Sequence, residues 1–382
     1  MYFAPPPFTS GRVCVIIYEI RFDDSLMMQR LQRRKYMDIK KILSESTSIL
    51  GVSGQEACVA AYFAEQFRPY VDEVSVDSMH NVIARKKGNG PKVMLCAHLD
   101  EIALMVVKIE DDGCVRFSSV GGVDPRILPG SRVWVHGRNG KLFGTIGALP
   151  PHLMSAEDRG SNYKMDKLHI DLGMSAEKVR EQVRVGDMLT FNTPFTELAN
   201  GQVAAKSLDD RSCIAIMLRA AERLQKMVCD ADVYFVCSGQ EEVGGRGAKT
   251  AAFAVEPDLA VVLDVSFALT PGCGPDVAKP LDAPIVTHGP YVQPKLNKRL
   301  IDCAKAHHVK LSHEVASRST GTDADDIVIS RGGVPTVLIS LPLKYMHTAV
   351  ETISLDTLEE SARLLAHFVS ELDASWEDDL WI

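Results

Sequence analysis

The 382-residue chain has no C-x-x-C pair, no block of basic residues and no apolar run near the about 20 residues that a bilayer-spanning helix needs. Each absence excludes something. Its nine cysteines are odd in number and scattered, and most sit inside apolar runs such as Val93-Met94-Leu95-Cys96. That is how a reducing, cytoplasmic compartment uses cysteine, as a small hydrophobe, and not how a disulfide framework does. A net charge of −8 without a basic patch gives no electrostatic reason to bind nucleic acid or an anionic membrane. The early run Val13–Tyr18 is short, closed by Glu19, and lacks a basic start and a small-residue cleavage site, which makes it a poor signal peptide. An acid-free, Arg-rich stretch from Met27 to Met37 follows, but Glu19, Asp23 and Asp24 argue against a transit peptide. Residues 1–36 read as a disordered extension.

What is present is ordinary globular sequence, 46% hydrophobic and 24% charged. It is long enough to exceed one hydrophobic core, which stops growing at about 250–300 residues. Short apolar runs end abruptly at polar residues. Lys92–Ala97 stops at His98, and Asp232–Cys237 stops before Gln240-Glu241-Glu242. Leu259–Leu263 stops at Asp264, and Val334–Ser340 runs toward His347. Such runs read as strands buried on both faces, hence a mostly parallel sheet. Helical patterns lie between them, as in Ile214, Met217, Ala221 and Leu224, or Leu358, Leu365, Phe368 and Leu372. Ser53-Gly54-Gln55-Glu56 has the form of a capping box before a helix carrying Ala57, Ala60, Phe63 and Phe67, and Asp356 and Glu359 mark a second cap. This alternation predicts an α/β domain with helices flanking the sheet. The region from about Glu110 to Asn200 is instead rich in Gly, Pro and short strand-like pieces. It reads as a small β-barrel-like domain, residues 108–202, inserted between 37–107 and 203–382.

The polar stops form a candidate site, because ligands of open α/β sheets bind at the carboxyl ends of strands. Two divalent ions carry four positive charges. A bridging carboxylate, one more carboxylate per ion and a hydroxide balance them, and one imidazole per ion completes the shell. The chain offers Asp209, Glu242 and Asp264 with His98 and His347. Nitrogen and oxygen donors in a low-coordinate shell suit Zn²⁺ or Co²⁺. Asp100 is placed to hold the other nitrogen of His98. Of the adjacent Glu241 and Glu242, one can face a metal while the other faces the bound water; spacing leaves open which. Asp209-Asp210-Arg211 alone also reads as a helix N-terminus, and Asp323 alone as a site group or a buried structural carboxylate. His136, His152, His169, His288, His307, His308 and His313 have no comparable context.

At these residues the chain resembles the tetrahedral aminopeptidase family of di-metal metallopeptidases, which includes glutamyl and deblocking aminopeptidases and proteins once labelled cellulase M. The resemblance covers roughly Met37 to the C-terminus. Its segments are Gly51–Glu56, Ala97–Ile102, Gly121–Pro125, Lys206–Arg211, Gln240–Gly244, Gly321–Ala324 and His347–Glu351. It implies a di-zinc exopeptidase fold and a metal-dependent aminopeptidase that removes N-terminal residues from peptides by hydroxide attack at a two-metal centre. His98 and Asp264 would bind one metal, Glu242 and His347 the other, with Asp209 bridging and Glu241 as general base. The insertion would be a dimerisation domain, and the assembly a dodecamer built from dimers. His80 and Ala103 stand where the family leads one to expect Gly, Lys344 where one expects Arg, and Thr348-Ala349 where one expects Ser-Pro. The stretch before Met37 has no family counterpart, so either Met37 would be the functional start or the early segment a dispensable extension. The competing readings are a di-zinc carboxypeptidase or acylase, a glycosidase, and a non-catalytic assembly protein. An insertion between His98 and Asp209 favours the aminopeptidase.

Overall fold

The computed structural model describes residues 37–156, 161–378 and 380. The extension expected over residues 1–36 lies outside the described residues. From Asp38 onward the chain builds an eight-stranded sheet, a closed six-stranded barrel and a small three-stranded sheet. In spatial order the large sheet runs Glu73–Val76, Val82–Lys86, Asp232–Ser238, Lys92–His98, Leu259–Phe267, Thr336–Leu343, Ile285–His288 and Ser312–Val315. Its four central strands are mutually parallel. Antiparallel pairings flank them on either side. The sheet is therefore mostly parallel, as the unbroken apolar runs require.

The central strands are buried on both faces. One face packs Met94, Cys96, Val236 and Val262 against Ala248, Ala251 and Ala252 of helix Arg246–Val255. The other meets helix Leu208–Leu224, which also packs on the C-terminal helix Leu355–Ser370. Ile214, Met217, Ala221 and Leu224 are all buried on the first of these helices, and Leu358, Leu365 and Phe368 on the second. At about 1.5–3 kcal/mol for each fully buried aliphatic or aromatic side chain, these stripes attach the helices to the sheet.

The barrel strands, between Ala103 and Phe191, close in the order Ala103–Ile109, Val115–Val120, His169–Asp171, Gly140–Gly147, Arg132–Gly137, Met188–Phe191. They surround their own apolar core of Leu104, Val106, Phe117, Val133, Ile146 and Leu189.

Two local readings are corrected. Ser53 caps no helix: its hydroxyl donates to Asp100 at 2.5 Å, and helix Ala57–Phe67 starts after Glu56 with no side-chain cap. Glu56 reaches back to the Gly54 N–H at 2.6 Å and also takes the Gln240 N–H at 3.2 Å. The C-terminal helix is capped by Ser354, whose hydroxyl accepts from the Thr357 N–H, while Asp356 lies in the first turn.

A buried ionic knot ties these parts together below the site. The Arg211 guanidinium, fully buried, donates to the carbonyls of Leu99, Ser46 and Ile49 and to Glu101 at 3.0 Å. Lys206 and Ser207 each donate to the other Glu101 oxygen at 2.5 Å. Burial by itself raises the Glu101 carboxyl, but Lys206 and Arg211 outweigh it and hold the group at about 2.

Glu101→Gln strands Arg211 as an uncompensated buried charge, and a loss of about 3–5 kcal/mol is expected in urea unfolding. A loss below about 1 kcal/mol would show that the knot is dispensable. Because the folded value lies below the ordinary 4.5, this stabilisation is complete above about pH 4.5 and is lost as pH falls toward about 2.

Candidate metal centre

Parallel register sets the height of the site. His98 pairs with Ser238 at the end of its strand, so the connection carrying Glu241 and Glu242 begins beside it. Cys96 pairs with Val262 on the other side, the last pairing before the two strands separate. Two residues further along each strand stand His98 and Asp264. The Asp264 strand does not stop there, as expected, but continues to Phe267 beside Leu343. A crevice opens where the His98 strand departs toward the barrel.

Asp209 lies at the centre. Its peptide bond to Asp210 is cis. The Nε2 of His98 sits 3.0 Å from Asp209 Oδ1, and the Nε2 of His347 sits 3.3 Å from Asp209 Oδ2. One carboxylate thus presents each oxygen to a different imidazole. Both rings are held from behind by a carbonyl at Nδ1: Asp100 O at 3.1 Å for His98, Gly122 O at 3.0 Å for His347. That fixes the tautomer with Nε2 aimed inward. A Cβ on Gly122 would stand 2.6 Å from His347 Nδ1, so only glycine permits this approach.

Donor atoms of His98, Asp209 and Asp264 all lie within 4.8 Å of one another, and so do those of Asp209, Glu242 and His347. The two groups share Asp209. Glu241 Oε2 reaches to 4.0 Å from His98 Nε2. All five expected ligands and Glu241 line one cavity of about 870 Å³. A third group, Cys303, His307 and Glu371, lies elsewhere, with His307 hydrogen-bonded to Glu371 at 2.7 Å.

Electrostatics fit a cationic occupant. Burial, then the neighbouring carboxylates of Asp264 and Asp323, pushes Glu241 up to about 10. Burial and Asp209 push Glu242 up to about 7. Burial and the nearby Asp210 and Asp209 carry Asp264 well above the carboxylate range. Asp209 moves the other way, because two imidazoles outweigh its burial. His347 rises to about 9 through its contact with Asp209. Crowded carboxylates with two inward Nε2 atoms form a donor set that divalent ions would satisfy.

Asp100 does more than hold the His98 ring. Its backbone carbonyl is the nearer partner of His98 Nδ1, and its carboxylate lies 3.5 Å away. The carboxylate also accepts the Ser53 hydroxyl and the backbone N–H groups of Glu241, at 3.0 Å, and Glu242, at 3.2 Å. It therefore positions the glutamate pair. Glu351 escaped the sequence reading, although it closes the motif at His347. It is buried and accepts the backbone N–H of Asp209 and of His347, each at 3.1 Å. Nothing in the sequence separates it from a surface glutamate. Asp323 is buried behind the site, bonded to Ser238 at 2.5 Å, and does not line the cavity.

Backbone strain gathers here. Ser207, Gln240, Tyr345 and His347, all within two residues of a candidate ligand, adopt positive φ without being glycine. Each such residue costs about 1–3 kcal/mol and persists only when its surroundings over-determine it. His80, where glycine was expected, also has positive φ, with its ring 3.3 Å from Glu56. Lys344 does not line the cavity; its backbone pairs with Thr352.

The family model of the M42 glutamyl aminopeptidases matches residues 80–364. A lysyl aminopeptidase of Pyrococcus furiosus is 36% identical over 339 residues, covering 87% of this chain and 96% of its own. A glutamyl aminopeptidase of Lactococcus lactis is 27% identical, covering 86% and 94%. The crystal structure of a TET aminopeptidase from a marine sediment thaumarchaeon superposes with a TM-score of 0.86 at 32% identity, covering 90% and 98%. A Pyrococcus horikoshii TET1 peptidase, described as assembling into a tetrahedron or a large octahedral shell, gives 0.77 at 31% identity, covering 88% and 100%. With a two-lobed cluster of side chains able to hold metal ions and these relatives along most of its length, the chain belongs to the M42 glutamyl aminopeptidase family and is a metal-dependent aminopeptidase.

Proposed function

We propose that His98 and Asp264 hold one divalent ion, that Glu242 and His347 hold a second, and that Asp209 bridges them. The observation carrying this is the placement of the two inward Nε2 atoms on opposite oxygens of Asp209. Zn²⁺ or Co²⁺ fits the nitrogen and oxygen donors. When bound, such ions supply Lewis acidity and lower the pKa of water from 15.7 toward about 7.

Glu241 is the general base in this reading. It belongs to neither donor triad, yet its carboxylate reaches into the same cavity. It takes the proton of the attacking water and delivers it to the leaving amine, a role worth about 10²–10⁴ in rate. Asp100 holds the Glu241-Glu242 backbone in place, and Glu351 does the same for Asp209 and His347.

The barrel is proposed as a dimerisation domain, and the assembly as a dodecamer built from dimers. Support comes from Phe143 on a barrel strand, and from Leu149 and Leu153 just after it, 47%, 51% and 70% exposed in one chain. Large exposed apolar groups gathered in one region mark association surfaces. A cytoplasmic location is proposed from the cysteines: among the described residues all eight are free thiols.

Glu241→Gln is expected to retain two ions by elemental analysis while losing at least about 10²-fold in kcat. Asp209→Asn is expected to lose bound metal as well. A Glu241→Gln enzyme turning over at the parent rate would remove Glu241 from the mechanism. EDTA should abolish aminoacyl chromogenic hydrolysis, and Zn²⁺ or Co²⁺ should restore it; chelator-resistant activity would contradict the metal assignment. Replacing both Leu149 and Leu153 by Asp should shift sedimentation from the large assembly to smaller species, and an unchanged profile would move the interface elsewhere.

A further inference from the structure

The cavity extends past the metal centre, and its far side is chemically distinct. Glu314 lines it. The Glu314 carboxylate accepts the hydroxyls of Ser266 and Thr287, each at 2.6 Å, and lies 3.5 Å from that of Ser340. These bonds lock its rotamer, and all three partners are neutral hydroxyls. Among the described residues it forms no ion pair with Lys or Arg. Asp276 lines the same cavity, and among the described residues no Lys or Arg does. The wall around them is apolar and exposed: Phe267, Val277 and Val315 are 52%, 64% and 78% accessible.

Register places this carboxylate relative to the proposed metals. Ser266 is two residues beyond Asp264 on one strand, about 7 Å along it. Ser340, across the ladder, pairs directly with Asp264. Glu314 therefore stands beside the Asp264 strand, between the level of Asp264 and that of Ser266. A four-carbon stem ending in a cation can lie along that apolar wall and reach further than a leucine side chain.

We infer that Glu314, seconded by Asp276, makes this cavity select substrates whose N-terminal residue is Lys or Arg. The inference rests on the peptidase reading above. A carboxylate without a cation in a partly buried pocket disfavours an anionic side chain and rewards a cationic one with a charge-assisted hydrogen bond.

The test uses lysyl, arginyl, leucyl and glutamyl p-nitroanilides with the full-length, metal-loaded protein. Lysyl and arginyl substrates should exceed the other two in kcat/KM by at least about tenfold. In Glu314→Gln the lysyl-to-leucyl ratio of kcat/KM should fall by about tenfold to a hundredfold, mainly through KM. If that variant does not fold, free lysine and free leucine compared as competitive inhibitors of the parent enzyme carry the same comparison, with lysine the stronger. A leucyl or glutamyl preference, or an unmoved ratio in the variant, overturns the inference and leaves the aminopeptidase standing. Hydrolysis of none of the four removes the peptidase reading and the inference with it.

Discussion

Glu101 keeps its charge in the interior because Lys206 and Arg211 close on it from two sides. The three residues come from two separate parts of the chain, and each is a short step from a candidate ligand. Glu101 follows His98 by three positions, Lys206 precedes Asp209 by three, and Arg211 follows it by two. The same guanidinium donates to the carbonyls of Ser46 and Ile49 at the end of helix Ile39–Ser48. Pairing buried charges is demanded by their desolvation, and satisfying it here brings the His98 strand and the Asp209 turn together.

Above that knot the electrostatics reverse. Asp209, Glu241, Glu242 and Asp264 face one another with only two imidazoles between them. Burial and mutual repulsion lift three of the four out of the ordinary carboxylate range. A fold that keeps such a group together, and accepts positive φ at Ser207, Gln240, Tyr345 and His347 to do so, is arranged around positive charge. Glu351 and Asp100 show how the arrangement is held. Each spends its carboxylate on backbone N–H groups of two site residues, so the side chains that face the cavity stay free for it.

Much of this was legible before any coordinates. The central strands announced themselves because burial on both faces demands unbroken apolar runs, and their ends fell at His98 and before Glu241. Helix faces were equally plain. The misreadings were local patterns overruled by distant partners. Ser53-Gly54-Gln55-Glu56 has every feature of a capping box, yet the Ser53 hydroxyl goes to Asp100, 47 residues away. Asp264 looked like a strand end because polarity marks it, but the Thr336–Leu343 strand beside it carries the ladder three residues further.

Composition, period and motif order were enough to specify an α/β sheet, a β-rich insertion and the residue types of a two-ion site, because burial and ligand chemistry both write themselves into residue identity. Only the tertiary structure decided which carbonyl holds each imidazole, that Gly122 must be glycine, that Glu351 and Glu101 are buried, and that Glu314 shares the cavity. Those facts depend on contacts between segments up to 225 residues apart, and a contact of that kind leaves no period or spacing along the chain.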